Sequence, residues 1–284
     1  MTAGAPVARP LEARWIHGSP SAKHNTDPEL QVHAYDEHTV ILRQNKATHY
    51  EAPFLYLLFG ADRALLLDTG ATADPAFLPL RAVVDGLVDR WLARNPRDGY
   101  ELLVLHTHDH DDHVAGDRQF DGRPATTLVD AHPDAAWPYF GFDRDPEAVA
   151  TVDLGGGRVV ECLATPGHHA SAVTYYDPWT GFLLTGDTVY PGRLHIDDWP
   201  AFRRTVDRLI RFTATRPVTH VLGCHIEMTC HPGLDYPAGT TYQPHEAPLQ
   251  LTPDHLHQIR AALARLGDRP RRHRLPDLIL WPEG

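Results

Sequence analysis

The chain has 284 residues, of which 42% are hydrophobic and 22% charged, with a formal net charge of −11 and a pI near 5.9. These values are typical of a globular protein with a substantial core, and they give no support for nucleic acid or an anionic membrane as a partner. Three cysteines do not suit a disulfide framework. Without a long apolar segment or a signal-like start, we expect a cytoplasmic protein that does not enter a membrane. The unusual number is 20 histidines, since histidine is the commonest metal ligand in proteins.

The first half of the chain predicts strands, one long helix and a histidine-rich turn. Residues 1–30 have no sustained period and predict an N-terminal arm, so a single domain is expected over 31–284. Apolar residues at helical spacing predict a helix over 76–94, which ends before Pro96 and Gly99. The predicted strands are 32–35, 39–43, 54–59, 64–67, 102–105 and 126–129, and a short helix is predicted over 133–139.

The second half repeats this order of strands followed by helices. Amphipathic helices are predicted over 198–214 and 254–266, on either side of a Pro- and Gly-rich loop at 231–252. Two such blocks predict an α/β fold in which two sheets pack face to face with helices outside. The predicted strands are 150–154, 158–163, 173–176, 182–185, 218–222 and 278–281.

A histidine cluster follows the predicted strand 102–105. His108 and His110 stand at alternate positions, so in extended chain their side chains face one point. A turn then brings Asp112 and His113 to this point from the other side. Two ligand sets that face each other suit two divalent metals, Zn²⁺ best and Mn²⁺ or Fe acceptably. A histidine-rich octapeptide by itself also fits a solvated loop or an adventitious metal binder.

Three further segments argue against that simpler interpretation. They are Thr165-Pro166-Gly167-His168, Gly186-Asp187-Thr188 and Gly223-Cys224-His225, and each comes directly after a predicted strand. Loops at the ends of strands gather into sites over a rigid scaffold. The repeated placement therefore predicts one functional site built from four segments of the chain.

Together these motifs resemble those of the metallo-β-lactamase-fold hydrolases. The signature His-x-His-x-Asp-His is present at 108–113, the Gly-His, Gly-Asp and Gly-x-His elements follow in order, and Leu67-Asp68-Thr69-Gly70 looks like the family's opening strand pair. The resemblance covers about residues 31–226, whereas the tail 227–284 matches poorly. It implies a four-layer αββα sandwich with a two-metal site at one edge of the sheets.

The resemblance also implies a set of seven metal ligands, which leaves positions open for water and substrate, as in catalytic sites. Antibiotic-hydrolysing relatives place a cysteine at the bridging position, so the aspartate here looks more like the thioesterase, lactonase and glyoxalase II branches. Asp68 resembles the family aspartate that supports a metal-bound histidine, and a strand-end turn residue is the alternative. The implied ligands are His108, His110 and His168 for the first metal, Asp112, His113 and His225 for the second, and Asp187 as the bridge.

Two further features have open interpretations. Tyr190, three residues after Asp187, resembles the tyrosine of acyl-homoserine-lactone lactonases that hydrogen-bonds the substrate carbonyl. Alternatively it only packs, as an apolar aromatic residue does in glyoxalase II relatives. The polar and aromatic stretch 224–246 forms a wall or lid of the substrate site, or it is a surface excursion before the last helix.

We expect a dinuclear metal hydrolase that acts on an ester-like carbonyl of a small molecule, such as a thioester or lactone, with two Zn²⁺ as cofactors. A metal-bridging hydroxide is the expected nucleophile, and Asp112 would orient or accept its proton. The alternative is an iron-dependent oxidoreductase like the persulfide dioxygenases, which share the fold and similar ligands. A metal-stabilised binding module without turnover is a third class, although all seven ligands are present. The sequence leaves the oligomeric state open.

Overall fold

Two six-stranded sheets form the centre of the protein, whose computed structural model describes residues 9–283. The strands of the first sheet, in their order across it, are β1 (Leu30–Ala34), β2 (Thr39–Gln44), β3 (Phe54–Phe59), β4 (Arg63–Leu67), β5 (Glu101–Leu105) and β6 (Thr126–Leu128). Strands β1 to β4 are antiparallel, and β4 to β6 are parallel. The predicted strands of this half are therefore present, with ends that differ by two residues at most.

Three helices accompany this sheet: α1 (Leu80–Arg94), α2 (Asp111–Val114) and α3 (Pro133–Phe140). The prediction that α1 begins at residue 76 is wrong. The helix begins after Pro79, because the residue before a proline, here Leu78, is pushed away from helical backbone. The turn predicted after His110 is the one-turn helix α2, and His110 itself is extended, with φ −101° and ψ 149°.

Residues 149–266 contribute seven strands and two long helices. The strands are β7 (Val149–Asp153), β8 (Val159–Ala164), β9 (Val173–Asp177), β10 (Phe182–Gly186), β11 (Arg193–Ile196), β12 (His220–Gly223) and β13 (Gln250–Leu251), and the helices are α4 (Trp199–Thr213) and α5 (Pro253–Leu266). All of these strands except β11 form the second sheet, in the order β13-β12-β10-β9-β8-β7. Strand β13 lies in the stretch that was predicted as a loop. Its two residues are too few to show an alternating pattern, so the strand could not be predicted.

A small third sheet ties the C-terminal segment to the middle of the chain. Strands β14 (His273–Arg274) and β15 (Ile279–Pro282) join β11 in the order β11-β15-β14. The sequence predicted β15 but neither of its partners. Strand β15 pairs in parallel with β11, which starts directly after Gly192. A Cβ at Gly192 would lie 2.2 Å from the Tyr190 ring, so only glycine fits this entry to the strand.

Alternation along the strands assigns side chains to three hydrophobic layers. Leu65 and Leu67 of β4 lie in the layer between the sheets, whereas Leu66 packs in the layer that contains α1. In the second sheet, Leu184 belongs to the central layer and Leu183 to the layer that contains α4 and α5. The order helices, sheet, sheet, helices is the αββα sandwich, and the predicted α/β fold is confirmed.

Residues 9–29 lie against the sandwich and contribute to its core. Leu11 and Trp15 are buried in the central layer, and the Trp15 ring meets Phe54 edge to face at 4.9 Å between centroids. The division into an arm over 1–30 and one domain over 31–284 stays a prediction, and residues 1–8 lie outside the described part. Among the described residues, no helix combines the length and the apolar character needed to cross a membrane.

Candidate metal centre

The candidate metal centre lies where several strands end. Strand β5 runs into an extended segment that places His108 and His110 side by side. The one-turn helix α2 then changes the direction of successive side chains and brings Asp112 and His113 to the neighbouring position. The other residues come from the ends of strands in the second sheet: His168 after β8, Asp187 after β10 and His225 after β12.

The first part of the centre is the three-histidine group, formed by His108, His110 and His168. Nε2 of His108 lies 2.9 Å from Nδ1 of His110, and Nε2 of His168 lies 3.2 Å from both of these atoms. Nitrogens at about 2.0–2.1 Å from a tetrahedral Zn²⁺ are about 3.3 Å apart, so the three ring nitrogens have the spacing of ligands to one ion.

The second part is the aspartate group, formed by Asp112, His113, Asp187 and His225. Nε2 of His225 lies 3.3 Å from Oδ2 of Asp112 and 3.3 Å from Oδ2 of Asp187. Nε2 of His113 lies 3.4 Å from Oδ2 of Asp112 and 3.6 Å from Oδ1 of Asp187. Oδ2 of Asp187 is also 3.9 Å from Nε2 of His168, so this carboxylate stands between the two groups.

Three buried atoms of the aspartate group have no hydrogen-bond partner among the described residues. They are Nε2 of His113, Oδ1 of Asp187 and Nε2 of His225. Buried polar atoms in native proteins are nearly always paired, and leaving one unpaired costs about 1–3 kcal/mol. A divalent cation within the group would satisfy all three atoms at once, so the residues present fit a bound metal.

Main-chain carbonyls orient two of the histidines. Nδ1 of His168 lies 2.9 Å from the carbonyl oxygen of His195, and Nδ1 of His225 lies 3.0 Å from that of Glu51. A proton on each Nδ1 leaves the lone pair of Nε2 free for a metal. Sequence analysis missed both partners, because a carbonyl oxygen belongs to every residue and leaves no trace in the side-chain pattern.

A buried aspartate orients a third histidine. Oδ2 of Asp68 lies 2.9 Å from Nδ1 of His113, and its Oδ1 accepts a hydrogen bond of 2.7 Å from the Thr107 amide. The thiol of Cys224 also donates to Oδ2 at 3.5 Å. The backbone of Asp68 has φ +65°, a conformation that is uncommon outside glycine but that aspartate tolerates. The structure thus places Asp68 in the supporting position that the resemblance implied.

Burial and neighbouring charges shift the pKa values of the candidate ligands. Burial lowers the pKa of His168 to about 4 and lowers the pKa of His108 well below its usual value, so both rings are neutral at pH 7. Burial opposes ionisation of Asp187, but the adjacent His225 and His113 hold its pKa well below its usual range. Burial opposes protonation of His113 and His225, but the adjacent carboxylates raise the pKa of both rings well above its usual value. Neutral imidazoles and ionised carboxylates are the forms that bind divalent cations, so a bound cation would displace a proton from each of these two rings.

Tyr190 lies beside the aspartate group, but its hydroxyl is engaged elsewhere. Its ring meets that of His225 at 5.7 Å between centroids. Its hydroxyl donates to the main-chain carbonyl of Arg193 and lies 3.3 Å from Oε2 of Glu227. Burial, with Glu227 nearby, raises the pKa of Tyr190 well above its usual value. The geometry favours the packing interpretation, and a catalytic role for Tyr190 stays a prediction.

The pocket over the two groups has a volume of about 250 Å³ and adjoins two larger clefts. The first, here called the lysine cleft, has a volume of about 530 Å³ and is lined by Lys46, Glu51, Glu227 and residues 235–243 in part. Glu51 and Glu227 line the metal pocket as well, so the two spaces adjoin. The stretch 224–246 therefore forms a cleft wall beside the candidate site.

The second cleft, here called the tryptophan cleft, has a volume of about 610 Å³. Its lining includes Trp137, Pro138 and His169, and it shares Asp197 with the metal pocket. Two clefts therefore flank the metal pocket, one on the side of Glu51 and Glu227 and one on the side of Asp197.

Comparison with curated proteins finds relatives over part of the chain. The protein is 32% identical over 147 residues to a hydroxyacylglutathione hydrolase of Synechococcus sp. (strain JA-2-3B'a(2-13)), which covers 49% of this chain and 50% of that protein. It is 31% identical over 132 residues to the hydroxyacylglutathione hydrolase of Gloeobacter violaceus, covering 44% of this chain and 45% of that one. The chain thus spans about half the length of the curated relatives it matches.

Solved structures and a family model place the fold. A metallo-beta-lactamase from Pontibacter korlensis superimposes with a TM-score of 0.53 at 16% identity, covering 83% of this chain and 99% of that one. The model of the metallo-beta-lactamase superfamily matches residues 52–225, which include both ligand groups. The chain belongs to the metallo-beta-lactamase superfamily.

Proposed function

We propose that the protein is a dinuclear metal-dependent hydrolase whose substrates carry an ester-like carbonyl. The observation that carries this proposal is the pair of facing ligand groups at the base of a pocket that opens into two clefts. Structural metal sites are closed by protein ligands, whereas catalytic sites keep positions open beside space for a substrate. The arrangement here is of the second kind.

We further propose that both groups bind Zn²⁺, with the three-histidine group holding one ion, the other members of the aspartate group holding the second, and Asp187 shared by both. Imidazole nitrogens with carboxylate oxygens suit Zn²⁺ well. When bound, two such ions polarise a carbonyl and lower the pKa of a water toward neutrality.

Within the aspartate group, we assign the proton-handling role to Asp112. Its side chain is 19% exposed, against 10% for Asp187, so it is the carboxylate with better access to the pocket. Its Oδ2 already lies among the ring nitrogens of His113 and His225, which keeps it anionic. Asp112 would orient the attacking water and accept its proton, while the buried Asp187 keeps a structural place between the groups.

Thioesters are the first substrate class to test, because the relatives with about 30% identity are named hydroxyacylglutathione hydrolases. Lactones are the second. We expect β-lactams to be poorer substrates. The bridging position holds Asp187, whereas the antibiotic-hydrolysing proteins that the motifs resemble place a cysteine there.

The test combines metal analysis with a substrate panel. We expect about two zinc ions per chain and turnover of a thioester or a lactone by the zinc-loaded protein. One iron per chain with oxygen consumption on a persulfide would instead support the oxidoreductase alternative. A protein that binds two zinc ions and hydrolyses none of the thioesters, lactones and β-lactams would contradict the proposal.

A further inference from the structure

We propose that Lys46 binds a carboxylate of the substrate in the lysine cleft, an inference that rests on the proposed hydrolase function. The lysine cleft adjoins the metal pocket at Glu51, His195 and Glu227, which line both. A substrate whose carbonyl lies at the ligand groups can therefore extend its far end toward Lys46. The proposal concerns this end of the substrate and leaves the reacting carbonyl where the function above puts it.

Lys46 is a buried cation that has no carboxylate within salt-bridge distance among the described residues. Only 3% of the residue is exposed, and its Nζ donates one hydrogen bond of 2.9 Å to the main-chain carbonyl of Tyr50. A lysine ammonium has three N–H donors, so two remain for another acceptor. Within residues 9–283, no carboxylate oxygen lies within 4.0 Å of this Nζ. Burial, with Arg43 nearby, lowers the pKa of Lys46 to about 8, while the more distant Glu246, Glu227 and Glu51 act in the opposite direction, so the ammonium is still mostly charged at pH 7.

The position of Lys46 is held by two segments outside the family match. The N-terminal segment and the loop before α5 meet at a bridge between Gly18 and Tyr242, directly over the lysine stem. A Cβ at Gly18 would lie 2.9 Å from Cβ of Lys46 and 1.9 Å from the carbonyl oxygen of Thr241. Gly18 also has φ +78°, which favours glycine. This close packing confines the lysine to the wall of the cleft.

The arginines near Lys46 differ from it, because both are paired. Arg193 bonds to Glu227 and, at 3.0 Å, to Asp235. Arg43 makes two bonds of 2.5 and 2.6 Å to Glu246. Such charge-assisted pairs give each arginine a carboxylate partner. Among the described residues, Lys46 is therefore the cation in this wall that makes no salt bridge to a carboxylate.

The expected anion is a carboxylate with a single charge. Lys46 offers one positive charge, while Glu51, Glu227 and Asp235 also line the cleft and would repel a doubly charged phosphate. A carboxylate matches the two free N–H donors with one negative charge. It can belong to the acyl part or to the leaving thiol of a thioester, and these two sources need separate probes.

The kinetic test uses two pairs of thioesters with the zinc-loaded protein. The first pair is S-glutaryl-N-acetylcysteamine and its methyl ester, which differ by a carboxylate on the acyl part. The second pair is S-butanoyl-3-mercaptopropionate and its methyl ester, which differ by a carboxylate on the thiol. In at least one pair we expect the acid to exceed the ester in kcat/KM by about tenfold or more, the usual scale for one charged hydrogen bond.

Two variants separate the charge of Lys46 from its packing. Lys46→Met and Lys46→Gln should both lose the preference for the acid and keep the rate on the methyl ester, which reports that fold and metal are intact. Lys23→Met is the matched control, since Lys23 is the other lysine of the chain and is exposed. A parent enzyme without any preference, or variants that retain it, would overturn the proposal.

A binding measurement keeps this outcome apart from that of the hydrolase proposal. Calorimetric titration of the zinc-loaded protein compares glutarate with pentanoate, which lacks the second carboxylate. We expect glutarate to bind about tenfold more tightly and Lys46→Met to abolish the difference. If no thioester, lactone or β-lactam is hydrolysed but this result holds, the hydrolase proposal fails and the role of Lys46 stands. Equal dissociation constants for the two acids would refute the role of Lys46 whatever the turnover.

Discussion

The two halves of the metal centre are built from different charges. The three-histidine group has no carboxylate of its own, and His168 within it is oriented by a neutral main-chain carbonyl. The aspartate group contains two carboxylates, and a third, Asp68, lies behind His113. The three unpaired buried atoms also belong to the aspartate group. The carboxylates of the centre therefore lie in the aspartate group, and so do the buried atoms that a cation would pair.

This difference in charge predicts which of the two groups binds its metal ion more tightly. A carboxylate attracts a divalent cation strongly in a buried site, where charges interact through a low effective dielectric. Neutral rings supply ligand bonds without that attraction. We therefore expect the aspartate group to bind its ion more tightly and the three-histidine group to exchange its ion more readily.

The largest effect should follow from loss of a ligand. His168→Ala should empty the three-histidine group and His225→Ala the aspartate group, while Asp187→Asn should weaken both. Each variant should lose more than about a hundredfold in turnover, because even the outer partners of ligands cost 10–100-fold. Metal content by mass spectrometry and turnover are measured together. His257→Ala, on an exposed position of α5, is the control. Full activity of the His168 variant would refute the ligand assignment.

A smaller effect is expected from the aspartate behind the ligands. Asp68→Asn keeps the shape of the side chain but removes the charge that supports His113, so metal affinity or activity should fall by about 10–100-fold. The loss should concern the aspartate group, with the ion of the three-histidine group retained. Asp254→Asn, exposed at the start of α5, serves for comparison. An equal loss of both ions would show that the halves are not supported independently.

Removal of metal by a chelator should occur in two steps. We expect the three-histidine group to release its ion first, with dissociation constants that differ by about tenfold or more, equivalent to about 1.4 kcal/mol. Native mass spectrometry during a chelator titration follows species with two, one and no ions. Loss of both ions in a single step, or earlier loss from the aspartate group, would contradict the charge comparison.

The smallest effect is expected at Tyr190. Because its hydroxyl donates to the carbonyl of Arg193, Tyr190→Phe should change turnover by only a few-fold and leave the metal content unchanged. An oxyanion donor would instead cost on the order of a hundredfold or more. Rates and metal content of the variant are compared with the parent. A drop of that larger size with both ions present would restore the lactonase-like role for this residue.

The structure brings together the seven side chains that the sequence predicts as ligands, and their role in metal binding stays a prediction. The alternation of His108 and His110, and the strand ends before His168 and His225, place these side chains by local geometry alone. The same reasoning failed for β11 and β13, which are short strands that exist because distant partners accept their hydrogen bonds. Their stability comes from pairing and not from residue preference.

The amino-acid sequence by itself determined the αββα order, since period-two strands and amphipathic helices must bury their apolar faces against each other. It also indicated that the candidate ligands come from segments that follow β5, β8, β10 and β12. Only the tertiary structure decided the rest: the carbonyls of Glu51 and His195 that orient two histidines, and the Lys46 ammonium in the cleft wall, which among the described residues bonds to the Tyr50 carbonyl and to no carboxylate. These features arise where segments far apart in the chain meet, so no local pattern of residues encodes them.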